Sequence, residues 1–136
     1  MTADDLARAY LAKARLRLEV LDLLLSRGGY SDLVREAQEL VERATKAMLR
    51  HAGIEPPKWH DVGSILLDNA GRFVPDIRGE LPRVAAISGA LRKEREFSFY
   101  GDEDFIPTEQ YDRAAAEEAL GGARFVFEVA ERAVTA

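Results

Sequence analysis

One arginine, Arg95, lies where the spacing of apolar residues predicts the buried side of a helix. Val84, Ile87 and Leu91 precede it at steps of three and four residues, which places all four on one helical face. An arginine keeps its charge in proteins, and a buried charge without a partner is very costly. The sequence therefore predicts either an acidic partner for Arg95 or a cleft in which its guanidinium binds an anion.

The chemistry of the chain changes just after Arg95. Tyr100 and Gly101 end the helical pattern, and three consecutive acids follow at positions 102–104. Two interpretations of Tyr100 remain open: an aromatic cap over the end of a helix bundle, or a hydrogen-bonding neighbour of a ligand held by Arg95. Arg92, three residues before Arg95, is the third candidate ligand-binding residue.

Charge is distributed unevenly around these candidates. Residues 72–95 contain six basic and three acidic side chains, whereas residues 96–118 contain one basic and eight acidic side chains. Either these are two solvated faces that differ in charge, or a basic strip lies beside an acidic strip and the two pair between subunits. The net charge of −5 argues against a broad surface that coats nucleic acid, but it allows a local basic cleft.

Motifs for other kinds of chemistry are missing from the sequence. It has no glycine-rich phosphate loop, no His-Glu-x-x-His and no nucleophile elbow, and His51 and His60 lack a third ligand at metal-binding spacing. We therefore expect no metal and no cofactor. The absence of cysteine fits a cytoplasmic protein. The longest aliphatic run is three leucines, so no membrane-spanning segment is expected.

Hydrophobic periodicity predicts an all-α protein with one domain over residues 1–136. The architecture expected is an antiparallel up-and-down bundle of four long helices plus one short helix. Ser31, Asp61 and Thr108 are the predicted N-caps, and the segment from Gly71 to Gly79 is predicted to be a loop. The expected helices span about residues 3–26, 31–51, 61–70, 80–99 and 108–133.

The last predicted helix is rich in small residues. Gly121 and Gly122 lie inside it, and each glycine costs about 1 kcal/mol relative to alanine. Close approach of another helix would offset that cost, either within the bundle or across a dimer interface. The small residues and the opposed charge strips together predict a homodimer whose interface uses the surface of one or the other of the last two long helices.

Several stretches, taken in order, resemble the HEPN domain, a nucleotide-binding domain of higher eukaryotes and prokaryotes. The most telling are residues 30–49, 60–62 and 95–102, and the resemblance spans roughly residues 5–133. It implies an antiparallel bundle of four or five helices that commonly forms a symmetric dimer. It also implies a partner chain, because many members are encoded beside a minimal nucleotidyltransferase in a toxin–antitoxin-like pair.

Some members of that family are metal-independent ribonucleases that use an Arg-x(4–6)-His motif. The arginine that matches is Arg95, but Tyr100 occupies the position of the histidine. A phenol titrates near pH 10 and is a poor general base at neutral pH. Glu96 also places a negative charge beside the arginine, where it would repel a phosphate.

The resemblance therefore implies a nucleotide- or RNA-binding regulatory module, the partner of a minimal nucleotidyltransferase, rather than an enzyme. Arg95, Tyr100 and Arg92 are its expected ligand-binding residues. One alternative is a metal-independent ribonuclease that uses Arg95 and Tyr100. The other alternative is a helical interaction protein that binds no ligand.

Overall fold

A computed structural model describes residues 2–58, 62–99 and 111–135, without the side chains of residues 95–99. These residues form six α-helices and one 3₁₀ turn, and they contain no strand. The all-α bundle predicted from the sequence is confirmed. The helices are α1 (Ala3–Arg27), α2 (Tyr30–His51), α3 (Val62–Asp68), α4 (Pro75–Arg78), α5 (Leu81–Phe99) and α6 (Arg113–Thr135).

The second helix is the centre of the bundle. α2 packs against α1, α3, α5 and α6, and its apolar residues recur at helical spacing. Leu33, Leu40 and Met48 on this face are completely buried. α1 and α5 each contact both α2 and α6 but have hardly any contact with each other, so they lie on opposite sides of the α2–α6 pair.

The structure shows what begins and ends the first helix, and it shows that the predicted start of the second is wrong. The Thr2 hydroxyl accepts a hydrogen bond from the Asp5 backbone and the Asp5 carboxylate accepts one from the Thr2 backbone, which caps α1. Gly28, with φ of 75°, ends it. Ser31 is not an N-cap but a buried residue of the first turn of α2, because the Gly29 carbonyl already accepts from the Leu33 backbone at 2.9 Å.

The predicted loop from Gly71 to Gly79 is also wrong. It contains most of the 3₁₀ turn Ala70–Arg72 and all of α4, which begins at Pro75. Proline suits that first helical position, because its fixed φ matches the helix and no N–H is needed there. The guanidinium of Arg78 donates to the carbonyl oxygens of Ala70 and Phe73, at 3.3 and 3.1 Å, and so ties the two short elements together.

The last helix begins later than predicted. Residues 111 and 112 are not helical, so a single helix from Thr108 to residue 133 is wrong, and α6 begins at Arg113. The Asp112 carboxylate accepts a hydrogen bond from the Ala115 backbone at 2.9 Å and caps this helix. Thr108 itself, and Asp61 with its predicted cap, lie outside the described residues.

At one position, a small residue of the last helix allows close packing against another helix of the same chain. A Cβ added at Gly122 would lie 3.1 Å from the Cγ2 of Ile87, so α6 approaches α5 closely there. Gly121 has open space beside it, and no such contact explains it. The intrachain interpretation therefore holds for Gly122.

Candidate functional site

A cavity of about 410 Å³ opens between α2, α5 and α6. Its volume falls in the usual range of small-molecule sites. The described residues that form its apolar walls are Val34, Ile87, Ala90, Leu91, Ala115, Ala119 and Gly122. The described residues that contribute polar groups to it are Lys93, Glu94, Tyr111 and Glu118.

The small residues of α6 create this space. Ala115, Ala119 and Gly122 follow one another at steps of four and three, so they lie on one face of the helix. At Gly122 that face closes onto α5, and at Ala115 and Ala119 it lines the cavity. The side chains of two alanines are too short to fill the gap between the helices.

The buried stripe predicted for the third long helix, α5, is confirmed up to the cavity. Val84 and Leu91 are buried, and Ile87 is half-buried and lines the cavity. The helical backbone of α5 continues to Phe99, so position 95 lies one turn beyond Leu91, as the spacing predicted. The side chain of Arg95 and the whole of Tyr100 lie outside the described residues, and the predictions for both remain predictions.

A hydrogen-bonded tyrosine–glutamate pair lies at the cavity. The Tyr111 hydroxyl donates to the Glu94 carboxylate at 2.6 Å and approaches the Glu94 carbonyl oxygen at 3.3 Å. Burial raises the pKa of Tyr111, and the hydrogen bond to Glu94 and its negative charge raise it further. At neutral pH Tyr111 is therefore a proton donor and not a general base.

Two neighbouring basic side chains of α5 have no ionic partner among the described residues. Arg92 and Lys93 are exposed on α5, and neither forms an ion pair with the residues that the structure describes. Lys93 lines the cavity, and Arg92 precedes it in the chain. Arg92, a predicted ligand-binding residue, is not among the described residues that line the cavity, and its role remains a prediction.

The other basic residues of the predicted strip are engaged elsewhere. Arg72 donates to the Ala52 carbonyl oxygen at 3.2 Å, and Arg78 ties the 3₁₀ turn to α4. Arg83 stacks on the Phe125 ring, with its guanidinium carbon 3.9 Å from the ring centre. The described part of the basic strip therefore has its uncommitted charge at the cavity end of α5.

Sequence reasoning missed the Tyr111–Glu94 pair. The two residues are separated by 17 positions, and Tyr111 lies outside the helices, so no helical spacing connects them. The only available signal was that Glu94 interrupts a basic run, Arg92-Lys93-Glu94-Arg95. That pattern indicates a carboxylate with a specific role, but it does not identify the partner.

Two kinds of site do not occur among the described residues. No group of three or more histidine, aspartate or glutamate side chains there could hold a metal ion. No helix in residues 2–58, 62–99 and 111–135 is both long and apolar enough to cross a lipid bilayer.

We expect the hydrogen bond of Tyr111 to stabilise the fold in a pH-dependent way. Tyr111→Phe should lower the free energy of unfolding by about 1 kcal/mol at neutral pH. Because the folded-state pKa of Tyr111 is raised above its unfolded value near 10, this stabilisation is complete below pH 10 and is lost as the pH rises further. Urea unfolding from pH 7 to 11 measures the difference between the two proteins.

The matched control for this experiment is Tyr10→Phe. Tyr10 is half-buried against Arg50, and its hydroxyl has no hydrogen-bond partner among the described residues. Its replacement should change stability little at any pH in the series. A gap between wild type and Tyr111→Phe that stays constant up to pH 11 would contradict the prediction.

The family comparison covers nearly the whole bundle. The sequence model of the HEPN domain matches residues 7–133, from the first third of α1 almost to the end of α6. No curated protein matches the chain.

Proposed function

Because the chain belongs to the HEPN domain family, we propose that it binds a nucleotide or single-stranded RNA in the cavity beside α5. Family membership supports a nucleotide- or RNA-related module. The observation that carries the more specific proposal is the position of the cavity. Its lining includes Lys93, an exposed basic residue of α5 that forms no ion pair with the described residues.

The lining of the cavity suits the parts of a nucleotide. The apolar walls can receive the face of a base, as aromatic and aliphatic surfaces do in other single-strand binders. Lys93 provides charge for a phosphate at the rim, and Arg92, its neighbour in the chain, is proposed to add to it. The carboxylates of Glu94 and Glu118 can accept hydrogen bonds from the amino groups on a base edge.

Binding without catalysis fits the chemistry of the site. The proton of Tyr111 is held more tightly than that of a free phenol, which makes it unsuitable as a base at neutral pH. Tyr100 is also a phenol, in the position where ribonucleases of the family have histidine. The function proposed for the protein is therefore that of a regulatory module rather than a nuclease.

The proposal also includes a partner chain, an oligomeric state and a cellular system. By analogy with the family, the module is a cytoplasmic homodimer that pairs with a minimal nucleotidyltransferase in a toxin–antitoxin-like system. The family resemblance is the support for this part. Co-expression with a nucleotidyltransferase encoded beside the gene tests it: a complex that survives size-exclusion chromatography is expected, and separate elution of the two chains would contradict it.

We expect ligand binding to depend on the cavity and its basic rim. Lys93→Ala or Arg92→Ala should weaken binding of single-stranded RNA or a mononucleotide roughly tenfold, which corresponds to loss of one charged hydrogen bond. Ala90→Leu should weaken it further by filling the cavity, since Ala90 is part of the wall. Isothermal titration calorimetry with oligonucleotides and nucleoside phosphates measures these changes.

Each of these variants has a matched control on the same protein. Ala86→Leu adds the same side chain at an exposed position of α5 one turn away, which does not line the cavity. Lys58→Ala removes an exposed lysine distant in sequence from α5. Equal effects of test and control variants would refute the cavity as the site. Metal-independent cleavage of the RNA that Tyr100→Phe abolishes would favour the ribonuclease alternative instead.

A further inference from the structure

One acidic side chain in the lining of the cavity is uncommitted. Glu118 lies on α6, is exposed and lines the cavity, and it forms no hydrogen bond or ion pair with the residues that the structure describes. Its neighbour Glu117, in contrast, is paired with Arg113, whose Nε lies 2.7 Å from the carboxylate. The charge of Glu118 is therefore available to a molecule bound in the cavity.

Another helix brings the opposite charge to the same cavity. Lys93 is exposed on α5 and is part of the lining, but it forms no ion pair with Glu118. The two helices also contribute apolar wall, including Leu91 from α5 and Ala119 from α6. Opposite charges that stay apart in a mainly apolar cavity suit a ligand with an anionic end, an apolar body and an end that donates hydrogen bonds.

The carboxylates of this cavity can only accept hydrogen bonds. Glu94 already accepts one from the Tyr111 hydroxyl at 2.6 Å, and that bond uses the proton of the tyrosine. An ionised carboxylate has no proton to donate. Among the described polar side chains of the lining, Lys93 alone has protons left to donate. A base in the cavity must therefore supply the protons for Glu118 itself.

The four bases of RNA differ in what they offer to a carboxylate. Guanine has two adjacent donors on its Watson–Crick edge, the ring N1–H and the amino group at C2, which match the two oxygens of one carboxylate. Adenine and cytosine have an amino group beside a ring nitrogen that accepts, and uracil has one N–H between two carbonyl oxygens. Each of these three bases would set an acceptor against a carboxylate oxygen, which costs binding free energy.

We propose that the cavity selects guanine, with the Glu118 carboxylate accepting from N1–H and from the amino group. The inference rests on the proposed binding of a nucleotide or RNA and adds the identity of the base. The same recognition applies to a free guanine nucleotide and to an unpaired guanosine in a strand of RNA, because both expose this edge. Lys93 is then left for the phosphate.

Isothermal titration calorimetry with GMP, AMP, CMP and UMP tests the selectivity. GMP should bind roughly tenfold more tightly than the other three, because a bidentate contact discriminates by at least about that factor. IMP keeps N1–H but lacks the amino group, so it should bind more weakly than GMP. Equal affinities for all the nucleotides would overturn the selection of guanine and leave the proposed binding intact. Absence of binding to any nucleotide or RNA would overturn both.

The variant Glu118→Gln should change which base is preferred. An amide offers one acceptor and one donor, which matches adenine rather than guanine. The variant should bind GMP roughly tenfold more weakly than wild type does, and it should bind AMP more tightly. Because Glu118 is exposed, the substitution should leave the urea midpoint of unfolding nearly unchanged.

The matched control is Glu128→Gln. Glu128 is an exposed glutamate of the same helix that does not line the cavity, and it forms no ion pair with the described residues. This variant should keep the wild-type order of affinities. An unchanged preference for GMP in Glu118→Gln, or an equal loss in both variants, would overturn the role of Glu118 in selecting the base.

Short single strands of RNA separate the two sources of guanine. The probes are oligouridine and the same strand with one central guanosine, compared with GMP. If the strand with guanosine binds more tightly than both other probes, the ligand is RNA. If GMP binds more tightly than either strand, the ligand is a free nucleotide. Guanine that gives no advantage in either form would overturn the proposal.

Discussion

Leu40→Ala is expected to lower the free energy of unfolding by about 2–5 kcal/mol. Leu40 is completely buried, and it lies on α2, the helix that contacts α1, α3, α5 and α6. Removing its side-chain methyl groups leaves a cavity, and the four surrounding helices cannot all move inward to fill it. The total stability of a domain of this size is typically about 5–15 kcal/mol, so the loss is a large part of it.

Urea denaturation followed by circular dichroism measures this loss. Leu67→Ala is the comparison, since Leu67 is a leucine in α3 that is 43% exposed. Its replacement should cost well under half as much, because much of its surface is already in water. A loss of under about 1 kcal/mol in Leu40→Ala would mean that α2 is not the packing centre of the bundle.

Gly63→Ala is expected to destabilise the protein by about 1–3 kcal/mol. A Cβ at this position would lie 3.0 Å from the Cα of Ala85 and 3.3 Å from its carbonyl oxygen. These are backbone atoms of α5, which cannot rotate away as a side chain could. The crossing of α3 over α5 therefore has to widen, and the contacts around it are lost.

The control for Gly63→Ala is the same substitution in open space. Gly89 lies inside α5, and no atom lies within 4 Å of the Cβ that alanine would add. Gly89→Ala should raise stability by about 0.5–1 kcal/mol, because alanine has less backbone freedom to lose in a helix. The two variants should thus shift the urea midpoint in opposite directions. An unchanged or higher midpoint for Gly63→Ala would contradict the close approach.

Local sequence signals predicted most of the helices. The start and end of α1, the end of α2 and the extent of α5 follow from glycines, prolines and apolar spacing, which act within a few residues. The predictions were wrong where contacts between residues distant in sequence determine the local structure. Ser31 is buried by its neighbours rather than acting as a cap, and the segment of Phe73 and Ile77 forms short helices because both side chains are buried.

The candidate site was predictable only in part. The sequence identified α5 and its basic residues, because their spacing and charge are local properties. The cavity is the space left between three helices, and its volume depends on how α6 is placed. The same limit applies to Tyr111 and Glu94.

The two glycines between the first helices also affect the order in which the bundle can assemble. Gly28 and Gly29 alone separate α1 from α2, whereas residues 52–112 separate α2 from α6. In the unfolded chain, bringing the ends of the longer segment together costs about 3 kcal/mol more in chain entropy, at about 0.6 kcal/mol per doubling of length. The pair of α1 and α2 is therefore the least costly part to form, and α6 docks onto a surface that already exists.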